Sequence, residues 1–152
     1  MSIEEKLKEM GLELPQPAAP VATYVPFVRT DGLLHISGQI PFDADGSLIL
    51  GRLGENLDVE AGQYAARRCA LGIVAQAKAA LDSFGSIERI VKLGVFVNCV
   101  PDFTRQPEVA NGASDLMVAL FGDAGRHARS AVGVSSLPRG VAVEVDAVIA
   151  TR

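Results

Sequence analysis

From Val141 to Ala150 the chain reads VAVEVDAVIA, with Val, Ala or Ile at every odd position. Apolar side chains repeating every second residue suit a β-strand with one buried face, and no helix presents them that way. Upstream, Arg129 to Val134 reads RSAVGV, and between the two runs lies SSLPRG, rich in the residues that reverse a chain. The predicted unit is a β-hairpin. If its valine rows share a face, Arg129, Ala131 and Gly133 lie opposite them, on the side of Glu144 and Asp146. A register with Ala131 opposite Glu144, or slipped by two residues, satisfies this. One side of an apolar hairpin then carries a cation and two carboxylates.

At 152 residues the chain fits one domain, 1–152, and can bury a core without disulfides or metals. Residues 1–20 form a lead-in: Ser2-Ile3-Glu4-Glu5 is a capping-box pattern before a short helix stopped by Gly11, and Leu14 to Pro20 is proline-rich and extended. There is no Trp, so small residues must do much of the packing. The net charge of −4 argues against a general nucleic-acid binder. No apolar run is long enough to span a bilayer and no secretory signal is visible. Cys69 and Cys99 form no CxxC motif and read as reduced core residues. Together these point to the cytoplasm.

Strands are predicted over Tyr24–Arg29 and Leu33–Gln39, joined at Thr30-Asp31-Gly32. A long helix capped by Asp58 follows and ends before Gly85, with Ala66, Ala70, Ile73, Ala77, Ala80 and Phe84 as its buried stripe. Ile90–Val100 is a third strand, and a second helix runs from near Pro107 to Gly122. The order strand, strand, helix, strand, helix, strand, strand describes an α+β fold, a mixed sheet with two helices on one face. The other face keeps Phe96, Ala131, Gly133 and Ala142, too apolar to stay wet, so a symmetric homo-oligomer is expected to cover it.

No nucleophile elbow, phosphate loop, dinucleotide fingerprint or His/Cys metal cluster occurs, so neither metal nor cofactor is expected. His35 reads as a hydrogen-bonded core residue. His127, in GRHARS, either orders the loop after the helix or serves as a titrating group near Arg129. Arg129 itself has two readings: a salt bridge that fixes the hairpin, or a fork that grips a planar carboxylate. Glu144 is the acid placed to act as base for an attacking water, and Asp146 reads as a rim charge.

Several blocks resemble the RidA (YjgF, reactive-intermediate deaminase) family: Ser37-Gly38-Gln39-Ile40-Pro41 within a DGxxxxSGQ frame, Val95-Phe96-Val97 with Asp102-Phe103, and above all Ala128-Arg129-Ser130, Leu137-Pro138 and Val143-Glu144-Val145. The resemblance spans Tyr24 to Arg152. It implies a chorismate-mutase-like fold assembled as a homotrimer with a pocket at each subunit interface. It further implies hydrolysis of reactive enamines and imines, such as 2-aminoacrylate, to 2-keto acids and ammonia. By the same resemblance Arg129 grips the substrate carboxylate, Glu144 holds or activates water, Tyr24 lines the pocket, and Ser37 and Gly38 flank the cleft.

The chain also departs from that pattern. Ala131 stands where the family usually has a cysteine, marking a divergent subgroup. The pocket asparagine corresponds either to Asn111 or, in its stead, to Ser114. GRHARS replaces the usual Phe-Pro-Ala-Arg-Ser lead-in and puts His127 at the pocket mouth. The alternative function is a non-catalytic trimeric binding protein for small carboxylates such as 2-keto acids. The ribonuclease activity attached to part of the family is disfavoured by the acidic charge and the lack of paired histidines.

Overall fold

The computed structural model describes residues 1–19 and 22–152; Pro20, the end of the expected lead-in, lies outside them. Helix α1 (Ile3–Glu9) starts at Ser2, whose hydroxyl accepts from the Glu5 amide while the Glu5 carboxylate accepts from the Ser2 amide. Strands β1 (Phe27–Thr30) and β2 (Leu33–Gln39) pair antiparallel across Asp31-Gly32, both with positive φ (49° and 75°). That is the turn a two-residue hairpin favours. Helix α2 (Val59–Ala80) is capped by Asp58, which accepts from the Ala61 amide at 2.8 Å. Then come β3 (Ile87–Asn98), α3 (Gln106–Phe121), β4 (Ala128–Val134) and β5 (Val143–Thr151).

The sheet order is β1-β2-β5-β3-β4, and this overturns the expected C-terminal hairpin. After β3, helix α3 carries the chain back so that β4 lies parallel to β3. The chain then crosses to the far side of β3, where β5 runs antiparallel to both β3 and β2. Residues 135–142 step across one intervening strand, about 10 Å at two inter-strand spacings. Turn residues alone do not reveal whether a strand intervenes. The end of β3 secures the crossing: the Asn98 amide donates to the Ala142 carbonyl at 2.9 Å, and its side chain donates to the Val141 carbonyl at 3.1 Å.

Inserting β3 also corrects the face assignments. Arg129 is in register with Leu93 and, across β3, with Ala147; Glu144 is in register with Phe96 and Val132. Positions 93 and 96 have opposite parity and no bulge separates them, so Arg129 and Glu144 project from opposite faces of the sheet. Ala131 and Gly133 follow Arg129 to the helix side, where a Cβ on Gly133 would lie 2.6 Å from Cys99 Sγ. Ala142 is fully buried. The outer face keeps Phe96 and adds Val28, Val132 and Val148, of which Val28 and Val132 are well exposed. His35 also points outward and is exposed, not a core residue.

Other boundaries move less. The first strand begins at Phe27 rather than Tyr24, and the long helix ends at Ala80, leaving Phe84–Ser86 as a separate short turn. Helices α2 and α3 cover the inner face, burying Leu34, Leu93, Val95, Val145 and Ile149 against Ala66, Ala70 and Ile73. Cys69 and Cys99 are free and buried. Among the described residues no helix is long and apolar enough to cross a membrane.

The two helices touch closely at Gly112, where a Cβ would lie 2.0 Å from the Gln63 carbonyl oxygen. Backbone cannot yield as a side-chain tip can, so overpacking here should reach the upper end of its usual range, about 3 kcal/mol. Gly112→Ala is expected to lower the unfolding free energy by that amount, read from denaturant titration at unchanged slope; a loss below about 0.5 kcal/mol, the scale of an ordinary surface change, would contradict the packing described.

Candidate functional site

Two clusters hold the expected site residues. The first opens on the outer side, where Tyr24, Pro26, Ser37, Gly38, Arg139 and Glu144 line a cavity of about 750 Å³. Ser37 ties its wall together: its amide donates to the Pro26 carbonyl at 2.9 Å and its hydroxyl to the Val25 carbonyl at 2.8 Å. The segment bearing the exposed Tyr24 is thereby held to β2. Gly38 makes room for the acid, since a Cβ there would lie 2.3 Å from Glu144 Oε2. Glu144 is half-buried, and its carboxyl is pushed above the usual carboxylate range, first by burial and then by the neighbouring negative charge of Asp146. Asp146 is itself half-buried beside Gly94.

The second cluster lies where β4 meets α3. Arg129 Nη1 donates to Asn111 Oδ1 at 2.9 Å and to Ser114 Oγ at 3.0 Å. Ser114 Oγ is also 2.9 Å from His127 Nε2, while His127 Nδ1 lies 2.6 Å from the Gly125 carbonyl oxygen. Positions three apart on a helix share a face, so Asn111 and Ser114 both reach the arginine. His127 orders the loop and contacts the site at once. Both protons of Nη1 are used; among the described residues Nη2 and Nε have no partner, leaving the side-on edge of the guanidinium free for a carboxylate. No ion pair forms between Arg129 and Glu144 or Asp146.

Tyr24, Ser37, Gly38 and Glu144 thus converge at one place, and Arg129, Asn111, Ser114 and His127 at another, with Ala131 two residues along β4 from Arg129. The sheet stands between the two groups.

Residues 4–145 match the family described as YjgF/chorismate mutase-like, putative endoribonuclease. The chain belongs to the YjgF (RidA) family. Protein TCP17 of Trypanosoma cruzi is 51% identical over 148 residues, 97% of this chain and 92% of that one. The structure of Atu1372 from Agrobacterium tumefaciens, a protein of unknown function, superposes with a TM-score of 0.91 at 45% identity, covering 99% of this chain and 94% of that one. TdcF of E. coli, solved with bound serine, is more distant: TM-score 0.61 and 27% identity over 90% and 93% of the two chains. The fold is accordingly the chorismate-mutase-like α+β fold of the YjgF proteins.

Sequence reasoning missed Arg139 in this YjgF-family chain. It sits in the left-handed region (φ 62°) just before Gly140 (φ 74°) and lines the Glu144 cavity. The signal was present as Pro138-Arg139-Gly140 but had been spent on the turn. A separate cavity of about 660 Å³ between the lead-in and α2 contains Asp43, Tyr64 and Arg68. There the Tyr64 hydroxyl donates to Asp43 at 2.5 Å, lowering the Asp43 carboxyl and raising the Tyr64 phenol.

Because Asp146 raises Glu144 by charge repulsion, Asp146→Asn should lower the Glu144 midpoint while burial still holds it above the ordinary carboxylate range. Carboxyl NMR titration reads this directly, and an unmoved or higher midpoint would contradict the assigned cause.

Proposed function

We propose that this chain is a hydrolytic deaminase of reactive enamines and imines that bear an α-carboxylate, releasing 2-keto acids and ammonia. The observation that carries the reading is the Arg129 fork: a guanidinium braced through one nitrogen by Asn111 and Ser114, with its other edge free. A planar carboxylate fits that edge with two parallel hydrogen bonds. TdcF, a relative, holds a serine, and serine carries such a carboxylate. Glu144 supplies the other requirement. A carboxylate raised by burial is a better base for water than an ordinary one. Water attack on an imine carbon asks for little beyond positioning and one base, and no cofactor is invoked.

Since Arg129 and Glu144 leave opposite faces of one sheet, a small substrate reaches both only between subunits. We therefore propose a homotrimer, one domain per chain, in which the Arg129 cluster of one copy faces the Tyr24–Ser37–Glu144 cavity of the next. The exposed apolar outer face, with Val28 and Val132, supports burial there. The family description includes endoribonuclease, but the net charge of −4 and an arginine already braced for one small anion favour a metabolite over RNA. Placement in the cytoplasm fits free cysteines.

The reaction is testable by generating 2-aminoacrylate and a bulkier imine in situ and following keto-acid release. Wild type is expected to accelerate release. Arg129→Ala should lower kcat/KM by at least about 30-fold, as the loss of a charged hydrogen-bonded pair implies, and Glu144→Gln by about 100-fold. Retained keto-acid binding without acceleration of any imine would replace this reading with a carboxylate-binding protein, the outcome that Ala131 in place of a thiol would favour. Sedimentation should give three times the chain mass, and a monomer would refute the shared site.

A further inference from the structure

We infer that the cavity between the proline-rich lead-in and α2 is a second binding site, separate from Arg129 and Glu144, for a free amino acid with an apolar side chain. Arg68 carries the inference. It is only 7% exposed, and its Nε donates to the Phe42 carbonyl at 2.7 Å. Among the described residues Nη1 and Nη2 have no hydrogen-bond partner, and Arg68 enters no ion pair. The side chain lines a cavity of about 660 Å³, and neither nitrogen is sealed away from it. A buried guanidinium is costly unless its donors are used, and the open side of this one faces space for a ligand.

The opposite charge lines the same cavity. Asp43 Oδ1 accepts from the Tyr64 hydroxyl at 2.5 Å and from the Ala44 amide at 2.8 Å, while Oδ2 has no partner among the described residues. The Tyr64 hydrogen bond, then the Ala44 amide and more weakly the charge of Arg68 hold the Asp43 carboxyl below its usual range. Arg68 thus lies close enough to act on Asp43 and too far to pair with it. Glu13 adds another acid, so the charged lining is one cation against two carboxylates. That balance disfavours a simple anion. A zwitterion meets both signs: its carboxylate accepts from the Arg68 fork and its ammonium donates to Asp43.

The remaining walls suit an apolar side chain and stand ready for it. Leu12, Leu14, Pro15, Pro17 and Phe42 supply them. Proline fixes φ, so the LPQPAAP segment is stiff. Leu12 and Leu14 pack against the core, and Gln76 Nε2 on α2 pins the segment by donating to the Ala18 carbonyl at 2.9 Å. A wall fixed before binding keeps the ordering cost low. The volume also falls within the range of small-molecule sites, roughly 300–1,000 Å³. Ala18 and Phe42 line the Glu144 cavity as well, so a test has to separate the two places.

Calorimetry on the full chain with L-leucine provides that test. Leucine is expected to bind saturably, and glycine at least about tenfold more weakly for want of the apolar side chain. Isocaproate, which lacks the ammonium, and isopentylamine, which lacks the carboxylate, should each bind at least about 30-fold more weakly than leucine. Arg68→Gln should lose about as much and Asp43→Asn about tenfold, whereas Arg129→Ala and Arg139→Gln should stay within about threefold of wild type. The analogue series uses the unaltered chain, so it decides the matter even if Arg68→Gln fails to fold. Equal affinity for leucine and isocaproate would overturn the zwitterion, and no saturable heat with leucine up to about 10 mM would overturn the site. Binding lost in Arg129→Ala or Arg139→Gln and kept in Arg68→Gln would put leucine in the candidate site already described, and the second site would be wrong.

Discussion

Everything at this site depends on β3 lying between β4 and β5. Strand side chains alternate faces, and β3 transmits that alternation in register from one neighbour to the other. Arg129 is therefore tied to Leu93 on the helix side, and Glu144 to Phe96 on the outer side. Had β4 and β5 paired directly in the register their apolar rows suggest, the cation and the acid would share a face, and Arg129 would be a candidate for an internal salt bridge. The inserted strand forbids that bridge. It leaves Arg129 to Asn111 and Ser114 on one side of the sheet and Glu144 to the cavity on the other.

Local features then prepare each half. On the outer side two glycines clear space for two carboxylates: Gly38 for Glu144 and Gly94 for Asp146. Crowding the acids into a half-buried strand face raises Glu144 by desolvation and by its like-charged neighbour, which suits a base more than a structural charge. On the helix side Asn111 and Ser114, one helical turn apart, spend one guanidinium nitrogen of Arg129 and immobilise the rest. An arginine fixed in this way loses less freedom when it binds a carboxylate than a flexible one would.

Much of this was legible in the chain itself. Ser2 with Glu5, Asp31-Gly32 and Asp58 named their cap or turn correctly because each signal is local. The strands and helices followed from apolar periodicity. What periodicity does not encode is which strands become neighbours: Pro138 and Gly140 mark a chain reversal whether the returning strand pairs at once or one place over. The same ambiguity put Ala131 and Gly133 on the wrong face and hid the outward exposure of Val132, whereas the exposure of His35 follows from its place between the buried Leu34 and Ile36. At the site, Arg129, Glu144, Tyr24, Ser37 and Gly38 were named from motif blocks, and their division into two clusters came only with the topology. Arg139 was missed because its left-handed backbone (φ 62°) is invisible in a residue type that rarely adopts it.

The proposed division of the site between copies is tested most directly by complementation. Arg129→Ala and Glu144→Gln chains, each inactive alone, are unfolded, mixed in equal amounts and refolded, and imine hydrolysis is measured. If each pocket takes its arginine from one copy and its acid from the next, random mixing restores about one quarter of the wild-type sites in a cyclic assembly. No recovery from a mixture that assembles and still binds pyruvate would mean that one chain supplies both residues, and the two-faced site would be wrong.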